Sequence, residues 1–171
     1  MEVSYSIEND RLFQEAINRA IATTQDLRIP LTLISKDFFK SEQAIWMLQS
    51  RGEYPDLAES TKRKRERDQQ PYYPILYRTG KLKSSMTNPT DYNCINEIIN
   101  KKMLIIGTRL EYGKYHQRGT SKMPMRKFLF VGPETKKYAQ YEIQGRTERW
   151  LNILNDFVMK KLKKEMSKTK K

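Results

Sequence analysis
The sequence predicts an α+β fold: N-terminal helices, a small antiparallel sheet of about three to four strands, and a long C-terminal helix. Three observations predict it. Apolar residues recur at three- and four-residue spacing toward both ends of the chain. The middle carries short apolar runs punctuated by Pro and Gly. Strand and helix patterns do not alternate, which argues against a parallel sheet.

The elements follow in chain order. Residues 9–24 read as an amphipathic helix, capped by Asn9 or Asp10, with Phe13, Ala16, Ile17, Ala20 and Ile21 on one face. A second helix starts after Asp26 and runs to about Lys40. Asp26 suits its N-cap, Pro30 fits the first turn, and Leu31, Ile34 and Phe38 share a face. A third apolar patch holds Ala44, Ile45, Trp46 and Leu48, and Gly52 and Pro55 end it.

Residues 60–71, STKRKRERDQQP, contain five basic residues in twelve and no large apolar one, so this segment is solvated, as an exposed helix or a mobile loop. Pro71, Pro74 and Gly80 then punctuate the chain. Three β-like runs follow, 81–87, 92–99 and 102–108; a helical turn also fits the second. Residues 127–131, KFLFV, form a fourth strand candidate, closed by Gly132 and Pro133. From about Thr147 to Lys168 the pattern is helical again, with Trp150, Leu151, Leu154, Phe157, Val158 and Leu162 in one stripe.

The 171 residues suit one domain, 1–171, with 60–71 as an exposed basic segment and 163–171 as a frayed basic tail. AVILMFWYC residues make up 37% and charged residues 31%, so the core is modest and the surface heavily charged. The net charge of +13 favours an acidic or polyanionic partner. Residues 146–171 concentrate it, with nine Lys/Arg against three carboxylates. One Cys excludes an intramolecular disulfide framework, and one His excludes His-rich metal sites. No apolar run is long enough to span a membrane, and the first residues lack the pattern of a secretory signal. A basic protein of a reducing compartment, without metal or cofactor, is expected.

Catalytic patterns are sparse. His116 is the sole imidazole, with Glu111 and Tyr115 close by in sequence, and its pattern favours ordering a turn or packing at an interface. Cys94 lies in an apolar-leaning run and reads as a small buried hydrophobe. Neither GxxxxGK[ST] nor GxGxxG occurs, and Asp and Glu are scattered singly. The cations Lys62, Arg63, Lys64, Arg65 and Arg67, with Lys160, Lys161, Lys163 and Lys164, are candidate contacts for DNA phosphates or an acidic surface. Tyr72, Tyr73 and Tyr77 follow the first cluster, where they could stack on bases.

Residues 105–131 read as a strand, a tight loop and a returning strand. Gly113 and Gly119 bracket Tyr115, His116 and Gln117, and Pro124 fixes the backbone before Arg126. Thr79-Gly80 reads as a positive-φ turn launching a strand from Lys81. The loop 118–125, RGTSKMPM, suits partner contact because its methionines adapt to a surface.

Three segments, read in order, resemble the phage virion-morphogenesis family, which includes tail-completion proteins of Mu-like and related tailed phages. They are YPDLAESTKRK (54–64), PILYRTGKLKSSM (74–86) and IIGTRLEYGKYHQRGTSKMPMRKFLF (105–130). The frame spans roughly residues 10–160. Gly113 stands where the family often has Ala, Lys127 replaces the proline of an RPFL motif, and the basic C-terminal extension lies outside the frame. The resemblance implies a virion assembly protein rather than an enzyme. It would act at the virion neck, after assembly in the host cytoplasm, completing the tail and joining it to the DNA-filled head. Such proteins work as rings, often hexameric. The implied partners are other copies of the chain, tail tube or terminator proteins and head–tail connector proteins, with nonspecific contact to genomic DNA. Tyr115, His116, Gln117, Arg118, Met123, Met125 and Arg126 are the expected subunit or partner interface. The alternative is a basic accessory protein that binds DNA without sequence preference.

Overall fold
Asp26 starts the first described helix as expected, accepting the Arg28 amide (3.1 Å) and gripping the Arg28 guanidinium. The computed structural model describes residues 24–49, 54–129 and 146–169, together with positions 18 and 22. Helix α1 (Arg28–Gln49) buries Leu31, Ile34, Phe38, Phe39, Ile45 and Trp46. It runs on past Lys40 because its polar stretch turns inward: Ser41 and Glu42 are buried against α5 (Arg146–Thr169). The basic segment forms α2 (Glu59–Arg67). Then come α3 (Lys81–Thr87), β1 (Cys94–Ile99), β2 (Met103–Thr108) and α4 (Gly113–Arg118).

Strands β1 and β2 pair antiparallel from Cys94↔Thr108 to Ile99↔Met103. Asn100 and Lys101 take left-handed φ values of 49° and 61° in the turn. Among the described residues the sheet has these two strands, so the expectation of three to four is corrected.

Two strand candidates are responsible. Residues 81–87 are helical: Leu82 and Met86, four residues apart, are both buried, and the Ser85 hydroxyl bonds the Leu82 carbonyl and the Thr108 hydroxyl. Gly80 has the expected positive φ (73°), but it precedes a helix. Residues 127–129 have no partner strand among the described residues. The Gln117 side chain does that work instead: its Oε1 accepts the amides of Phe128 (3.2 Å) and Leu129 (3.1 Å), and its Nε2 donates to the Leu129 carbonyl (2.7 Å). The returning-strand reading of 105–131 therefore gives way to β2, α4 and a bridge between Thr120 and Met123. Residues 130 and 131, and nearly all of the helix expected over 9–24, lie outside the described residues.

The main core gathers Phe38, Phe39, Trp46, Leu82, Met86, Cys94 and Phe128, with Trp150 packed against it. A second cluster holds Tyr54, Leu57 and Ile75. Helix α5 docks on α1 through charge as well as apolar contact. Arg146, 1% exposed, reaches Ser41 Oγ (2.6 Å) and Glu42 Oε1 (3.0 Å), and its guanidinium lies over the rings of Phe38 and Trp150. One turn on, Arg149 and the Trp150 indole both donate to Asp37. Among the described residues no helix is long and apolar enough to cross a membrane.

Candidate functional site
The segments that carry the family-like motifs converge on one cavity. The extended residues before α2 are tied to the chain that follows α4. Arg126, 5% exposed, donates from Nε to the Pro55 carbonyl (3.0 Å) and from Nη2 to the Asp56 carbonyl (2.8 Å). The Tyr54 hydroxyl donates back to the Lys127 carbonyl (2.8 Å). On α2, Arg65 turns inward, 7% exposed, and donates to the carbonyls of Pro71 and Tyr72 (2.9 Å each). Both guanidiniums thus satisfy backbone acceptors that no regular ladder reaches.

Gly119 sets the path between α4 and Arg126. Its φ is +72°, and a Cβ there would stand 2.9 Å from the Met125 nitrogen, so another side chain is excluded by conformation and by space. With the chain so turned, the Arg126 amide donates to the His116 carbonyl (2.8 Å).

The cavity left between α2, residues 75–82, α4 and residues 122–126 has a volume of about 470 Å³. That is within the range of small ligand pockets. Leu57, Ile75, Leu76 and Leu82 form an apolar wall; Arg65, Arg78, Lys81, Lys122 and Arg126 bring positive charge, with His116 beside them, and no carboxylate lines it. Asp68, outside the lining, approaches Arg78 at 3.5 Å. Burial lowers the Arg65 pKa and nearby Arg78 adds to this; burial and nearby Arg65 lower that of Arg126. Burial, then the Arg126 charge, lowers the His116 pKa, which favours a neutral imidazole near neutral pH.

The expected interface residues divide. Tyr115 (48% exposed), Arg118 and Met125 (50%) face solvent, while Met123 is half-buried in the cavity wall. Gln117 and Arg126 bond backbone groups, and Arg126 also lines the cavity. His116 is half-buried, edge-on to Tyr112.

The basic cluster divides too. Lys62 is held by Asp56 and Glu59 (2.9 Å each), which raise its pKa. Arg65, named with this cluster as a contact for DNA or an acidic surface, is buried on the inner side of α2 and lines the cavity. Arg63, Lys64 and Arg67 are exposed, Arg67 lying 3.8 Å from Asp68. Lys160, Lys163 and Lys164 are exposed on α5, and Lys161 packs its ammonium over the Phe157 ring. The Tyr73 hydroxyl bonds Asp56 (3.0 Å), and Tyr72 packs against the second apolar cluster.

Sequence reasoning missed Arg78, Lys81 and Lys122 as cavity residues. Their clustering depends on the nonlocal Arg126–Pro55 clasp, which no local spacing announces. Cys94 is buried, and burial raises its thiol pKa. Among the described residues, no group of three or more His, Cys, Asp or Glu side chains is arranged to hold a metal ion. No protein-family model matches the chain, and no curated protein or solved structure matches it significantly.

Proposed function
We propose that this chain is a structural phage neck protein that completes the tail and joins it to the DNA-filled head as one subunit of a ring. One observation carries the reading. The segments 54–64, 74–86 and 105–130, which share order and spacing with the virion-morphogenesis family, build one continuous unit here. Arg126 ties the third to the first, Ile75 packs with Leu57, and Gly113 lies against Leu82 and Phe128.

Two surfaces suit subunit contact. The outer edges of β1 and β2 are unpaired among the described residues, and such edges readily accept another strand. Helix α5 exposes Leu151 (53%), Val158 (37%), Met159 (50%) and Met166 (40%) along one side, apart from the face that docks on α1. Burying that stripe against a neighbour adds to a modest core. Heterologous contacts of this kind close into a ring without a self-complementary patch.

The test is joining in vitro. Purified chain, added to tails and DNA-filled heads from phage lacking the gene, is expected to restore joined particles. Leu151→Glu with Met159→Glu is expected to lose that activity while circular dichroism stays unchanged. Joining that proceeds equally well without the chain would overturn the proposal.

A further inference from the structure
The cavity beside His116 is cationic where a merely structural crevice would be apolar. Five cationic side chains line it and no carboxylate does. Behind its lining, Arg65 Nε and His116 Nδ1 are buried with no hydrogen-bond partner among the described residues. Arg65 itself is more than nine-tenths buried. Buried polar atoms of this kind are ordinarily satisfied, and the uncompensated cations of the lining call for an anion beside them.

The lining narrows the ligand class. A positive field selects an anion, and guanidiniums pair well with planar oxyanions. The Leu57–Ile75–Leu82 wall adds an apolar surface that a bare inorganic anion would leave uncovered. A polynucleotide needs a cationic track, but Arg63, Lys64 and Arg67 do not line the cavity. We propose that this cavity binds the carboxylate of an acidic protein segment, with an adjacent apolar side chain seated on the Leu57–Ile75–Leu82 wall. The proposal does not depend on the neck reading.

His116 reports occupancy directly, because it is the sole histidine in the chain. Arg126, Arg65, Arg78, Lys81 and Lys122 are the charged groups around its cavity, with Tyr112 against its ring. A bound anion offsets their field, so the imidazole titrates at higher pH when the cavity is filled.

The experiment uses the full chain, NMR of the His116 ring and 3-phenylpropionate as probe, with neutral 3-phenylpropanamide as control. The carboxylate is expected to saturate the His116 shift with a Kd of about 1–10 mM, in keeping with the modest binding energy per atom of small ligands. It is also expected to raise the His116 titration midpoint; the amide should do neither. Arg78→Gln/Lys81→Gln/Lys122→Gln changes exposed or rim cations and should weaken binding about tenfold at low salt. Arg65→Gln should abolish it; if that variant fails to fold, the triple variant decides. Equal responses to acid and amide, or undiminished binding in the triple variant, would overturn the anion site. Inorganic phosphate or a thymidine oligonucleotide binding as tightly as the carboxylate would overturn the assignment to a protein segment.

Discussion

Glu42→Gln should make the chain more stable at pH 8 while leaving it nearly unchanged at pH 4. Glu42 is fully buried on α1 and receives Arg146 on Oε1 alone; its Oε2 is buried with no partner among the described residues. Burial therefore outweighs the opposing Arg146 charge and pushes the carboxyl up to about 7, against an ordinary value of 4.5. Between those values the folded chain holds a proton that the unfolded chain has released. Stability from this group is thus complete below about pH 4.5 and falls as pH rises to about 7. The difference corresponds to about 3 kcal/mol. Glutamine, always neutral, has no such loss.

His116 titrates with the opposite sign. Its folded value is lowered, so its contribution is lost as pH falls, equally in both proteins. Urea denaturation from pH 4 to 8.5 isolates Glu42 as the difference between the two curves. Wild type should lose about 3 kcal/mol relative to the variant across that range. Parallel curves would refute the reasoning. A variant less stable than wild type at pH 8 would show that Arg146 attraction outweighs desolvation, the usual consequence of breaking a buried pair.

Gln117→Ala should cost about 2–3 kcal/mol in urea denaturation, because three backbone groups of residues 128 and 129 lose their partner. A change below 0.5 kcal/mol would show that water replaces the amide at this site. Gly119→Ala should cost at least about 1–2 kcal/mol by the same measurement, from the left-handed backbone and the contact with Met125; an unchanged midpoint would contradict that geometry. In duplex-DNA binding at low salt, Arg63→Gln/Lys64→Gln should reduce the slope of log K against log salt by about 2. Lys62→Gln should leave the slope unchanged, because its ammonium is held by Asp56 and Glu59. Equal losses in both would restore the whole segment as a phosphate track.

The fold was legible where local pattern and final packing agree. Asp26, Pro30, Leu31, Ile34 and Phe38 mark the start of α1, and the apolar run 103–106 marks β2. The pattern misled where polar residues are buried by partners far along the chain. The sequence reading ends the helix near Lys40, yet Arg146 makes Ser41 and Glu42 interior. Arg65 and Arg126 read as surface cations for the same reason, because their carbonyl partners are set by the folded backbone. In 81–87 the four-residue spacing of Leu82 and Met86 is the helical signal. The family-like segments were visible in the sequence; the cavity they enclose was not.

The most direct measurement is electron microscopy of lysates from a phage genome lacking this coding sequence. Separate DNA-filled heads and finished tails are expected, with joined particles restored when the chain is supplied in trans. Intact, infectious particles in its absence would contradict a role at the head–tail joint.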